Sequence, residues 1–281
     1  MIGVFDSGVG GLTILRGLVR ELPGRSFVYL GDNAHAPYGD RSPEEIYRLT
    51  LAALERLFGL GCRLIVVACN TASAVGLRRL QQDWLPRAHP GCRVIGVLVP
   101  MVEAVTGVPW SVPLAPAGRP LGAARTVAVF ATRPTVESGA FVREIGKRAP
   151  EISVVQQACP RLVPLIEHGG SAAALREAVE HDVDALLART HGAAPDAAIL
   201  GCTHYPLVQP LFAAALPAGV RLLSQPAVTA ASLRAYLARH PDLDAAHPAP
   251  ARFYTTGPAD AVAGLAARFY GQRLAFQRAP G

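Results

Sequence analysis

Short runs of β-branched and aliphatic residues in this chain are followed by small or polar turns and then by stretches of helical period. That alternation limits the fold more than any other feature. The runs lie at 2–5, 26–30, 64–68, 94–99, 126–130, 152–156 and 198–201, with a weaker one at 220–224. Helical periodicity fills 12–21, 43–58 and 172–189, and the middle stretch is entered through Ser42 with Glu45 three residues on, a capping box. Strand, loop and helix in regular order predict an α/β fold of mostly parallel sheets flanked by helices. Ligands of such sheets bind outside the carboxyl ends of the strands.

At 281 residues the chain has room for two domains. An internal echo supports two similar ones: VVACNTAS at 66–73 and ILGCTHYP at 199–206 are both apolar strands that end in a cysteine and a polar turn. The expected division is a first domain of 1–98 plus 211–281 and a second of 99–210, facing each other across the site. The Pro- and Gly-dense segment 107–122, GVPWSVPLAPAGRPLG, reads as a loop or insertion near the crossing.

Composition excludes several classes. With 51% hydrophobic and 17% charged residues the chain is not disordered. No stretch reaches the roughly 18 consecutive apolar residues of a membrane span, and no secretory signal is readable, so a cytoplasmic protein without a membrane partner is expected. The net charge is +6, but all except one of the 27 basic residues are arginines spread along the chain, which predicts no nucleic-acid partner. The single lysine, Lys147, reads as the solvated end of a helix. Pyridoxal chemistry, which needs a lysine for its Schiff base, is therefore not expected, and no cofactor is called for. The five cysteines, at 62, 69, 92, 159 and 202, show neither C-x-x-C pairs nor histidines at zinc-ligand spacing, so no metal site is expected.

Free cysteine is usually an inert core residue, and Cys62, Cys92 and Cys159 read that way. Cys69 differs, because Asn70, Thr71 and Ser73 follow it where a helix should begin and a thiolate would be stabilised. Cys202 repeats the arrangement with His204 two residues on, able to tune or shuttle its proton. The turn Asp6-Ser7-Gly8-Val9-Gly10-Gly11 after the first strand does not match a dinucleotide or phosphate-loop pattern. It offers a carboxylate, a hydroxyl and backbone N–H groups to a small anion and its amine, although Asp6 or Ser7 could equally be a helix N-cap. The turn 31–39 after the second strand adds a further polar loop to the same rim.

With Asp6-Ser7-Gly8, Pro37-Tyr38-Gly39, Ala68-Cys69-Asn70-Thr71 and Gly201-Cys202-Thr203-His204 assembled, the chain resembles the bacterial glutamate racemases of the cofactor-independent aspartate/glutamate racemase superfamily. The likeness runs over nearly the whole chain. Ala131-Thr132-Arg133-Pro134-Thr135-Val136-Glu137-Ser138 is similar to the family's Gly-Thr-x-x-Thr-Val-x-Ser segment, and Ala158-Cys159-Pro160 with Pro164-Leu165-Ile166-Glu167 to its Ala-Cys-Pro and Pro-Leu-x-Glu stretch. Two departures stand out: Ala131 in place of glycine, and the longer 107–122 connection.

The resemblance implies interconversion of L- and D-glutamate, with D-glutamate feeding peptidoglycan synthesis. Cys69 would take the α-proton from D-glutamate and Cys202 from L-glutamate, with thiol pKa values lowered toward neutrality by local charges. Asp6 would assist Cys69, and His204 with Glu167 would assist Cys202. Ser7, Asn70, Thr71 and Thr203 would hold the α-amino and α-carboxylate groups, and Pro37, Tyr38, Gly39, Thr132 and Thr135 the remaining oxygens. A homodimer is also implied. The alternatives are a racemase for aspartate or another small acid, a regulatory or nucleic-acid-binding protein on the same fold, and a cysteine hydrolase, which would leave Cys69 unexplained.

Overall fold

A computed structural model describes residues 1–111, 125–243 and 248–280. Most of the segment expected as a Pro/Gly-rich loop, 112–122, lies outside the described residues. The chain divides into two compact units, Met1–Val97 with Pro226–Gly281, and Leu98–Gln225.

Among the described residues the first unit holds six strands: β1 (Ile2–Asp6), β2 (Phe27–Gly31), β3 (Leu64–Val67), β4 (Arg93–Gly96), β9 (Arg252–Thr255) and β10 (Phe276–Arg278). They form one sheet in the order β10-β9-β2-β1-β3-β4, every pair parallel. β1 to β3 are buried along their whole length, as continuous apolar runs in a sheet covered on both faces should be. Helix Pro43–Gly59 lays Ile46, Ala53, Leu54 and Leu57 on the sheet at helical spacing. Its first turn is closed by the capping box, with Ser42 N–H donating to Glu45 Oε2 at 3.0 Å and Glu45 N–H to Ser42 Oγ at 3.4 Å.

The second unit carries β5 (Thr126–Ala131), β6 (Ser153–Ala158), β7 (Ala197–Gly201) and β8 (Arg221–Leu223), in the all-parallel order β6-β5-β7-β8. Its core includes Phe130 and Phe212, whose ring centroids are 5.0 Å apart, and the apolar stripe of helix Ala172–Arg189.

Register turns parallel pairing into a site. In the first sheet Asp6 pairs with Gly31, while Asp32 N–H donates to Asp6 O at 3.0 Å and Ala68 N–H to Phe5 O at 2.7 Å. Asp6, Asp32 and Cys69 therefore leave the sheet along one edge. In the second sheet Ala131 pairs with both Ala158 and Gly201, so that Thr132, Cys159 and Cys202 leave along one edge too.

Three expectations need correction. The run 94–99 is not all strand: β4 ends at Gly96 and a helix begins at Leu98, because Pro100 supplies no N–H to a ladder yet is tolerated in a first helical turn. The return to the first unit falls at Pro226, not 211, since helix Gln209–Ala215 packs on helix Ala172–Arg189 and β8 extends the second sheet. Neither Asp6 nor Ser7 caps the first helix, Leu12–Glu21; Gly11 is its N-cap.

Candidate active site

In the first unit the strand-end turns converge on Cys69. Its Sγ is the N-cap of helix Asn70–Val75 and accepts from Ala72 N–H at 3.4 Å, while its S–H donates to Ser7 Oγ at 3.4 Å. Asp6 is buried, and its Oδ2 accepts the N–H of Gly8 at 3.0 Å. Glycine is required at 11, where a Cβ would lie 2.5 Å from Asp6 Cβ. Asn70 and Thr71 are buried in the first turn of the Cys69 helix.

The Cys69 thiol is not lowered toward neutrality in this state. Burial, reinforced by the Asp6 carboxylate, outweighs the hydrogen bonds that Ser7 and Ala72 would give a thiolate and pushes it up to about 12. A buried anion beside another carboxylate is disfavoured, so the resting group is a thiol.

Pro37, Tyr38 and Gly39 lie on a loop held by Asp32. Tyr38 OH donates to Asp32 Oδ2 at 2.7 Å, Thr256 Oγ1 to Asp32 Oδ1 at 2.7 Å, and His35 Nδ1 lies 2.9 Å from Oδ1. The Tyr38 hydroxyl is thus committed to Asp32, and burial raises its pKa far above the ordinary value. Asp32 stands in the 31–39 turn without having been singled out, and Thr256 follows a strand, β9, missing from the expected set. Four residues at a sheet edge give periodicity too little to act on.

In the second unit Cys202 is buried at the end of β7, and its Sγ lies 3.8 Å from His204 Nδ1. His204 Nε2 is 2.8 Å from Glu167 Oε1, and Thr203 Oγ1 is 3.4 Å from His204 Nδ1. Burial alone would push the imidazole pKa down, but the bonds and charges of Cys202 and Glu167 prevail and hold it up to about 10. Thiol, imidazole and carboxylate thus stand in series. Thr132 and Thr135 share a hydrogen bond at 2.9 Å across the turn after β5. Ala131, where the resembled family has glycine, fits because its neighbour Gly201 is bare: a Cβ there would sit 3.2 Å from Ala131 Cβ.

Of the other cysteines, Cys62 and Cys159 are buried and Cys92 is half-buried. Lys147 lies exposed at the end of helix Ala140–Arg148, 2.8 Å from Glu144. Among the described residues no cluster of three potential metal ligands occurs, and no helix is long and apolar enough to cross a membrane.

Residues 2–233 match the Asp/Glu/hydantoin racemase family. The chain belongs to that family. It is 47% identical to a glutamate racemase of Caulobacter sp. (strain K31) over 99% of both chains. Among solved structures, a glutamate racemase isoform of Bacillus anthracis matches with a TM-score of 0.85 at 30% identity, over all of this chain and 97% of the other. The Francisella tularensis glutamate racemase in complex with D-glutamate matches with a TM-score of 0.82 at 29% identity, over 98% and 95%. This racemase therefore has the two-sheet α/β architecture of those enzymes. Its chemistry is inversion of a stereocentre.

Proposed function

We propose that this racemase interconverts L- and D-glutamate, with Cys69 and Cys202 as its two proton-transfer groups. Inverting a carbon that bears a hydrogen requires removing the proton on one face and returning one on the other. The observation that carries the reading is the duplication: each unit presents a buried cysteine at the carboxyl end of a parallel strand, each with its own carboxylate or imidazole partner. The full-length similarity to glutamate racemases supports the substrate.

In the D-to-L direction the Cys69 thiolate takes the α-proton and the Cys202 thiol delivers its own to the opposite face; the other direction reverses the roles. Because Asp6 and burial keep Cys69 protonated at rest, the incoming substrate ammonium is what makes the thiolate attainable, by opposing the Asp6 charge. His204, bridging Cys202 and Glu167, restores the proton of Cys202. Ser7, Asn70, Thr71 and Thr203 supply hydrogen bonds that strengthen as the α-carboxylate gains enolate character, and Pro37 to Gly39, Thr132 and Thr135 receive the side-chain carboxylate. Supply of D-glutamate for peptidoglycan, a cytoplasmic location and a homodimer accompany this reading.

The test is incubation of each glutamate enantiomer, and of aspartate, in deuterated water without pyridoxal phosphate, following optical rotation and α-deuteration. Two-base chemistry places label first in the product enantiomer. Equal early labelling of substrate and product would indicate one base, and turnover of aspartate alone would change the substrate. Cys69→Ala and Cys202→Ala are each expected to abolish racemisation; near-normal turnover in either removes that thiol from the mechanism.

A further inference from the structure

The stripe that helix Ala172–Arg189 turns to the core is Ala178, Val179, Asp182, Val183 and Leu186, so a carboxyl group occupies a position where periodicity calls for an apolar residue. Asp182 is 3% exposed, and its Oδ2 is buried without a hydrogen-bond partner. In the same cluster Gln157 donates through Nε2 to Ala158 O at 2.8 Å, but its Oε1 is also buried and unpartnered. Two orphaned acceptors together are an unstable arrangement if both lack a proton to share.

The cluster sits behind the second half-site. Helix Ala172–Arg189 packs on β6, so the Asp182 carboxyl interacts with Gln157 and Cys159, and the Cys159 S–H donates to Gln157 O at 3.7 Å. Tyr205, fully buried and one residue after His204, donates its hydroxyl to Cys159 O at 3.4 Å. A path of direct contacts thus runs from Asp182 through Cys159 to Tyr205 and the Cys202–Tyr205 turn.

We propose that Asp182 is a positioning residue for Cys202 and His204, held as a neutral carboxylic acid that donates to Gln157 Oε1. One proton then satisfies both orphaned oxygens and locks the Ala158-Cys159-Pro160 turn under Tyr205. Burial also raises the Asp182 pKa, against the lowering influence of Cys159, His181, Arg161 and Gln157. Of the cations that favour the ionised form, Arg161 is 3.2 Å from Glu177 and His181 is exposed; Glu167 is engaged by His204, and helix Gln209–Ala215 carries no titratable side chain. A neutral acid also adds no second anion beside Cys202, whose proton transfer an extra negative charge would hinder.

The role of Cys202 rests on the function proposed above, so the test includes readouts that need no substrate. Infrared spectra of wild type and Asp182→Asn at neutral pH are expected to differ by a protonated-carboxyl C=O band present only in wild type. Asparagine reproduces the neutral acid, so Asp182→Asn should keep turnover and the Cys202 alkylation rate within about threefold of wild type. Asp182→Ala should change the alkylation rate at least tenfold and lower kcat at least tenfold with a smaller effect on KM. Absence of the acid band, equal damage from Asn and Ala, or wild-type alkylation in both variants would each overturn the proposal. Failure of glutamate turnover in wild type would instead strike the functional reading and leave the spectra and alkylation to decide on Asp182.

Discussion

Cys69 shows how one side chain is set by competing effects of similar size. The hydrogen bonds from Ser7 and Ala72 favour a thiolate, but burial and the Asp6 carboxylate together favour the thiol more. At pH 8 a thiol pushed up to about 12 presents about a thousandfold fewer thiolates than an ordinary cysteine. Iodoacetamide should therefore label half-buried Cys92 well before Cys69 in the ligand-free enzyme, as read by mass spectrometry of the tryptic peptides; rapid labelling of Cys69 would contradict the balance described. His204 makes the opposite case. Its pKa is raised, so its imidazolium contributes stability that is complete below about pH 6.5 and is lost as pH rises through about 10. Glu167→Gln removes one of the groups that raise it. The Tm difference between wild type and this variant is expected to be largest near neutral pH and to shrink by about pH 10, and a pH-independent difference would refute the coupling.

Secondary elements position these groups through their ends. The capping box at Ser42 and Glu45 starts the helix that covers β1 and β2, and Ser42→Ala should cost about 1 kcal/mol. That would appear as a fall in Tm of roughly 2–4 °C with kcat and KM unchanged; no change in Tm would mean that the Glu45 bonds alone carry the cap. This element was legible from sequence, because a capping box is a local pattern whose bonds span three residues. Strand β9 was not. Its role is to bring Thr255 and Thr256 to Asn33 and Asp32, contacts more than 220 residues apart in sequence for which no local signal exists. Run 94–99 failed for a related reason: its composition is strand-like throughout, and only Pro100 marks where the ladder must stop.

At the scale of the whole molecule the two units have separate sheets and separate cores. Ile199 is fully buried in β7, and truncating it leaves a cavity among side chains of the second unit. Ile199→Ala should cost about 2–5 kcal/mol. Native-state hydrogen exchange should show faster opening of β5 and β7 amides with much smaller changes in β1 and β3. Uniform acceleration in both sheets would show that they open as one cooperative unit. The duplicated plan of an apolar strand ending in cysteine and a polar turn is visible in the sequence because strand, thiol and turn are contiguous. The point of return, at Pro226, is not visible, since it depends on which sheet β8 joins.

The order of motifs determined by itself that this is a parallel α/β racemase and which cysteines stand at strand ends, because alternation, turn chemistry and strand termini are properties of neighbouring residues. Tertiary structure alone decided the protonation state of Cys69 and the partners behind both cysteines. Strand register brought Asp6 beside Cys69, folding buried the thiol, and a helix placed Asp182 in the core. Electrostatic energies depend on burial and on distances between residues remote in sequence, so they exist only once the chain has packed.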